Sequence, residues 1–316
     1  MAGKRVFPAS EASDFDASTL VSNHVIAAKR HGAREEGKRD MRSAKQVVIV
    51  SGAASGIGLE LCRMFARRGA SIGLIDRDTA RLEAFADELR QAGVRCAAAV
   101  ADVRQREQVQ DAVRQIVAAI GPADILIPCA GICRASTVDD PRIAELEDIV
   151  RINFLGMVYL IEAALPAMLE RGTGHIAGIS SMAGLRGIPF EPGYSASKAA
   201  VAAYLESLRS ELRQRGITVT TVFPGYVQTP LLDDINGMMG ADMASGKALT
   251  ASDAAATIAT GIERRRPYIY LPWSLGFGAR LSRIMPPRLY DRVMSRMFSR
   301  FAISRRSADI AKPERS

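Results

Sequence analysis

The chain has few aromatic side chains, 6% of its 316 residues, and a single tryptophan. It has only three histidines and four cysteines. His24, His31 and His175 are scattered, and Cys62, Cys96, Cys129 and Cys133 lack zinc-type pairing, so no metal site is expected. So few cysteines make no disulfide framework, and free thiols point to a reducing, cytoplasmic setting. No apolar segment of leader type opens the chain, and no run is expected to reach membrane-spanning length. Without aromatics, the 48% hydrophobic content falls to Ala, Val, Ile and Leu. That mixture suits a buried parallel sheet covered by Ala-rich helices.

Charge is unevenly spread. The net charge is +8, yet Arg264 to Ser316 holds 13 Arg/Lys against 3 Asp/Glu. The basic character therefore belongs to the C-terminal tail, and no nucleic-acid partner is expected. Residues 1–44 are polar, of mixed charge and without periodicity, and read as a flexible extension. Met41, just before the first strand signal, is a candidate natural start.

From residue 45 to 272 strand and helix signals alternate. Strands are predicted at Gln46–Ser51, Ser71–Asp76, Val94–Val100, Asp124–Pro128, His175–Ser180, Ile217–Phe223 and Tyr268–Leu271. Helices are predicted between them, the longest over Arg142–Glu170 and Ser195–Arg215. This order implies right-handed βαβ units and one doubly wound α/β domain with a parallel sheet.

The first strand runs into SGAASGIG, with Ser51, Gly52, Ser55, Gly56, Ile57 and Gly58 between a strand and a helix. Glycines let backbone approach a pyrophosphate, and a helix N-terminus offers free N–H groups to it. The second strand ends at Asp76. A carboxylate there accepts the ribose hydroxyls of an adenosine and repels a 2′-phosphate; equally, it could cap the next helix. Arg77 beside it could greet that phosphate, so NAD is expected with NADP as the alternative. Asp102 and Val103 follow the third strand, where adenine would lie.

Ser181 closes the fifth predicted strand, and Tyr194 and Lys198 open the next helix. Their i,i+4 spacing puts phenol and ammonium on one face, and the ammonium is expected to lower the tyrosine pKa. Such a tyrosine moves a proton as hydride moves, and Ser181 steadies the oxygen.

These motifs together resemble the classical short-chain dehydrogenase/reductase family, over roughly Ala44–Leu271. SGAASGIG resembles the TGxxxGxG turn. Asp76 resembles the NAD-selecting acid, and Asp102–Val103 the adenine-flanking pair. Pro128-Cys129-Ala130-Gly131 stands where the family has Asn-Asn-Ala-Gly, and Cys129 lacks the amide's hydrogen bonds. Asn153 resembles the family's helix asparagine, which holds a water leading to the lysine. Pro224, Gly225, Val227 and Thr229 resemble the segment that meets the nicotinamide. The resemblance implies a Rossmann-type fold and a catalytic set of Asn153, Ser181, Tyr194 and Lys198. It implies cofactor contacts from Ser51 to Thr229, with Ala130, Gly131, Tyr194 and Lys198 among them. It also implies an oxidoreductase acting on alcohol or carbonyl groups, and a homo-oligomer. A nucleotide-binding regulator on the same fold is the alternative function.

Leu231–Gly246 resembles the family's substrate lid, with Leu231, Leu232, Ile235, Met238, Met239 and Met243. Flexible methionines suit a hydrophobic substrate, or simply pack the lid on the body. The tail, 273–316, carries arginines at 288, 292, 296 and 300 beside Leu289, Val293, Met297 and Phe301. This is an amphipathic basic helix. It fits peripheral contact with the inner face of a membrane, or packing on the body or a dimer partner.

Overall fold

Strands that are apolar on both faces belong inside a sheet covered on both sides. The computed structural model describes residues 46–240, 242–244 and 247–298, apart from the side chain of Phe277. The predicted extension 1–44 lies outside these residues, as do Gly246 at the end of the lid and Arg300 and Phe301 in the tail. Seven strands pair in parallel: β1 (Val47–Ser51), β2 (Ser71–Asp76), β3 (Cys96–Val100), β4 (Ile125–Pro128), β5 (Gly174–Ile179), β6 (Ile217–Pro224) and β9 (Tyr268–Leu271). Their order is β3-β2-β1-β4-β5-β6-β9. A two-stranded ladder joins β7 (Val227–Gln228) and β8 (Leu249–Thr250). The Rossmann-type sheet is the expected one.

Side chains alternate across the sheet along each strand. Val48 and Val50 of β1 enter one core, with Leu61, Phe65, Leu82, Phe85, Ile258 and Ile262. Val47 and Ile49 enter the opposite core, with Val109, Ile116, Leu160, Ile161, Val201 and Leu205. Helices α1 (Gly56–Arg67), α2 (Thr79–Gln91) and α8 (Ala251–Glu263) supply the first. Helices α3 (Arg106–Ile120), α5 (Gly156–Arg171) and α6 (Pro192–Leu212) supply the second. Each fully buried Leu, Ile or Phe contributes about 1.5–3 kcal/mol.

The long predicted helix has a break in it. Helix α4 (Ile143–Val150) passes into π-helical turns over Arg151–Leu155 and then into α5. The whole stretch, Ile143–Arg171, is 29 residues long and apolar enough to cross a membrane by length and composition. This corrects the expectation that no run reaches that length. Ile152, Leu160, Ile161 and Met168 are buried in the core cluster that the sheet shares, as in a core helix.

Strand β1 pairs with β2 on one side and β4 on the other, so the strand order reverses there. At such a point the loops leave in opposite directions and open a crevice at the carboxyl ends of the strands. Ser51, Asp76 and Pro128 end their strands at that crevice. The β4–β5 ladder is short, pairing Ile125 with His175 and Leu126 with Ile176.

Candidate active site

The glycine turn is built by close approach. Gly52 has φ +70, and a Cβ there would lie 2.9 Å from the Ala130 backbone. Gly56 has φ +54 and rests against the Thr229 methyl. Gly58 tolerates no side chain at all, because a Cβ would meet the Gly52 carbonyl at 2.1 Å. Gly131 fits between Asn153 and Lys198. Five predicted segments are thereby brought together: the turn after β1, the exit of β4, the stretch after β6, and the helical residues Asn153 and Lys198. Ser55 caps α1 by position, but its side chain makes no capping hydrogen bond. The Ser51 hydroxyl is used internally: it accepts from Cys129 N–H (3.2 Å) and Ala130 N–H (3.3 Å). It thus holds the strand exit in which Cys129 replaces an amide.

Asp76 is tied into the turn. Its carboxylate accepts from Ala54 N–H (3.0 Å) and Asp78 N–H (3.1 Å). The helix-capping alternative is corrected: Asp78 caps α2, accepting from Arg81 N–H at 3.1 Å. Asp78 immediately precedes the helix with extended backbone, where a cap must stand, whereas Asp76 still belongs to β2. Arg77 is exposed beside them. Asp102 is held by Arg104, whose Nη2 lies 2.6 Å from a carboxylate oxygen. This pairing keeps the Asp102 carboxyl below its ordinary range. Val103 is buried against Gly156. Pro224 ends β6, Gly225 N–H donates to Leu271 C=O at 2.7 Å, and Val227 is buried in β7. Ile57 and Ala130 are partly buried.

The reacting centre forms where β5 meets α6. Ser181 lies just past β5 and accepts from Ala183 N–H at 3.2 Å. Its hydroxyl also donates to Pro224 C=O at 3.5 Å and stands near enough to the Tyr194 phenol to favour its ionised form. Lys198 Nζ donates to Ile179 C=O at 2.9 Å and sits 5.7 Å from the centre of the Tyr194 ring. Asn153 lies in the π-helical turns, a geometry often found at functional sites. Its amide donates to Ile132 C=O (2.9 Å) and Ser197 Oγ (3.0 Å), and its oxygen accepts from Ile132 N–H (2.8 Å). The four predicted residues do converge on one place.

The electrostatics differ from the expectation. Burial pushes the Tyr194 phenol well above its ordinary value, and the Ser181 hydroxyl only partly opposes it. Burial, not the Lys198 ammonium that donates to Ile179 C=O, has the largest effect on the phenol. Burial brings Lys198 down to about 8, against the pull of Cys129 and Cys133. Tyr194 therefore stands as a neutral phenol.

Residues 46–240 match the family model described as short chain dehydrogenase. The chain belongs to the short-chain dehydrogenase family. An uncharacterized oxidoreductase of Myxococcus xanthus is 32% identical over 80% of this chain and 97% of its own length. Dehydrogenase/reductase SDR family member 7B of Rattus norvegicus is 33% identical over 83% of each chain. The crystal structure of a Burkholderia phymatum short-chain dehydrogenase/reductase in complex with NAD superposes with a TM-score of 0.70. It is 26% identical and covers 75% of this chain and 92% of that one. This short-chain dehydrogenase is an NAD(P)-dependent oxidoreductase, the first of the two functions expected.

The lid and tail of the dehydrogenase close over Tyr194. Helix α7 (Pro230–Met239) buries Ile235 and Met239 in an apolar cluster with Cys133, Met243, Met294 and Phe298. Tyr194, Tyr226, Ile188 and Phe190 pack against it. Met294 and Phe298 come from the tail helix α10 (Pro287–Phe298), which follows α9 (Trp273–Ile284). Tyr290 donates to Gly187 C=O at 2.6 Å, and the Arg186 guanidinium lies 3.8 Å over the Tyr290 ring. Packing on the body is thus realised on one face of the tail. On its other face Leu289, Val293 and Met297 are exposed.

Sequence reasoning missed Arg104, Tyr226, Ser197 and the buried Glu191. Ser197 lies inside the Tyr-Ser-Ala-Ser-Lys motif, where its contact with Asn153 could have been sought. The rest carry no local signal.

Proposed function

We propose that this short-chain dehydrogenase interconverts a hydrophobic secondary alcohol and its ketone. The observation that carries the reading is the placing of Tyr194 and buried Lys198 on one helix, with Nζ 5.7 Å from the centre of the phenol ring and Ser181 at the adjoining strand end. Bound NAD would supply the hydride acceptor, and its reduced form the donor. The glycine turn fits such a group: Gly58 lets α1 start against the Gly52 carbonyl, and the Ser55 hydroxyl is not spent on capping. Gly52, Ser55, Gly56 and Ile57 would hold the pyrophosphate, Asp76 the adenosine ribose, and Asp102 and Val103 the adenine. Lys198, Ala130, Gly131, Pro224, Gly225, Val227 and Thr229 would hold the nicotinamide end. Tyr194 gives its phenolic proton to the ketone oxygen; in the reverse direction it first loses that proton by way of Lys198 to solvent, and the phenolate takes the proton of the alcohol. Ser181 donates to that oxygen, and Asn153 and Lys198 keep the phenol supplied. NAD is favoured over NADP because the Asp76 carboxylate stands at the turn. The apolar cluster of lid and tail favours a hydrophobic substrate.

Tyr194→Phe tests this reading. Consumption of NADH with apolar cyclic ketones should collapse while NADH still quenches or enhances fluorescence on binding. Turnover surviving the substitution would refute the assigned proton path.

The exposed face of α10 supports a second element of the proposal. Leu289, Val293 and Met297, with Trp273 and Ile284 of α9, lie outside among Arg283, Arg288 and Arg292. An apolar row flanked by arginines suits an anionic lipid surface. In this reading the dehydrogenase works in the cytoplasm at the inner face of a membrane, and as a homo-oligomer like many of its family. Co-sedimentation with anionic and neutral vesicles tests the membrane contact; equal recovery on both would refute it.

A further inference from the structure

A carboxylic acid placed in an apolar chamber is costly to bury unless a partner meets it. Glu191 is 4% exposed and occupies the N-cap position of α6, three residues before Tyr194. An acid there ordinarily accepts from a backbone N–H of the first turn. The Glu191 side chain makes no such bond. Its backbone is engaged elsewhere: its N–H donates to Ile188 C=O, and its carbonyl accepts from Ser195. No cation offsets the burial, which alone raises its carboxyl to about 7.

The direction in which the acid faces follows from its neighbours. Glu191 pushes up the ionisation of Tyr194, Tyr226 and Cys133. Cys133 lies in the apolar cluster of lid and tail, and both tyrosines pack against it. The acid thus lies within electrostatic reach of the cluster that holds the phenol of Tyr194, and its buried side chain makes no hydrogen bond or ion pair among the described residues.

We propose that Glu191 is a specificity-determining residue that recognises a hydrogen-bond donor on the substrate, a hydroxyl or an ammonium remote from the reacting carbon. The inference rests on the alcohol–ketone reading above. A substrate bearing that donor meets the carboxyl as it displaces solvent from it. One lacking it strips the solvent and leaves the acid unpaired, and sites built around polar groups reject such analogues far more strongly than they reject a missing methylene. The substrate is then an apolar body with two polar ends: the reacting oxygen at Tyr194 and Ser181, and the donor at Glu191.

Three bicyclic ketones of one skeleton test this: a plain decalone, the same decalone with a remote hydroxyl, and the same with a remote amine. kcat/KM with NADH is measured for the wild type, E191Q and E191L. The wild type should prefer a donor-bearing ketone by tenfold or more, on the order expected for an unpaired polar site. E191L should bring that preference to near unity. E191Q keeps an acceptor oxygen but no charge, so it retains preference for the hydroxyl and loses it for the amine. Removing a buried acid should leave the thermal midpoint of E191L at or above that of the wild type. Turnover of the plain ketone with no donor preference, or a preference that persists in E191L, overturns the inference alone. Binding of NADH with no turnover of any ketone overturns the alcohol–ketone reading and the inference with it.

Discussion

Asp76→Asn isolates the charge that is expected to choose between the two dinucleotides. The carboxylate accepts from Ala54 N–H and Asp78 N–H, one on each oxygen. Asparagine keeps one acceptor and turns an amide N–H toward the other donor. Leaving one backbone N–H unmet costs about 1–3 kcal/mol, so a lower thermal midpoint is expected. The effect on binding has the opposite sign for the phosphorylated cofactor. Two unit charges ~4 Å apart interact by about 1 kcal/mol in water and about 4 kcal/mol at the effective dielectric of a protein surface. Removing that repulsion should raise affinity for NADPH relative to NADH by roughly five-fold at least, and about seventy-fold at the middle of that range. Arg77, exposed next to the carboxylate, is free to turn toward a 2′-phosphate once the acid is neutral. Parallel fluorescence titrations of wild type and variant with each reduced nucleotide give the ratio directly. A ratio unchanged within two-fold would refute the claim that Asp76 discriminates by charge, and would leave it only as a brace for the turn.

Four further outcomes are expected. Tyr194→Phe should lower kcat by about 10²–10⁴, the usual weight of a positioned acid or base, with the NADH dissociation constant little changed. His175 is buried on Thr220 Oγ1 at 2.7 Å and held down to about 4 from 6.5, chiefly by burial. The unfolded chain therefore takes its proton first as pH falls from 6.5, and stability is lost down to pH 4 by about 3 kcal/mol in total. Urea unfolding at pH 7 and 5 should show a steeper acid loss for the wild type than for His175→Asn; parallel losses would assign the effect elsewhere. Glu191 runs the other way: its burial contribution is fullest below pH 4.5 and is lost as pH rises through about 7. For the tail, replacing Arg288 and Arg292 by Gln should weaken binding to anionic vesicles by about 2 kcal/mol, since each surface arginine contributes about 1 kcal/mol there. Unaltered binding would remove the arginines from the contact.

The strands were legible because aliphatic runs such as VVIVS have no other place to go than between two covering layers. The glycine turn was legible because Gly58 leaves no room for any other residue. Tyr194 and Lys198 were legible because one helical turn sets their spacing. What escaped depended on partners remote in the chain. Asp76 and Asp78 are two residues apart, and only the bend of the backbone decides which one caps α2. The acidity of Tyr194 is set by its burial first, and by Cys133, Glu191 and Tyr226 around it, so the local lysine was a poor guide. Asn153 lies in a long apolar helix whose pattern gives no sign of its π-helical turns. Glu191 reads in sequence as an ordinary polar residue before a helix, and its isolation appears only when lid and tail are in place.

The glycine contacts have a consequence for the protein outside catalysis. Gly52 touches residue 130, and Gly56 touches residue 229, so the proposed seat of the dinucleotide is stitched from both halves of the chain. A ligand filling such a seat binds the folded chain and not the unfolded one. At a hundred times its dissociation constant it adds about 2.7 kcal/mol to the stability. The level of nicotinamide nucleotide would then govern how long the protein survives proteolysis, as well as how fast it works.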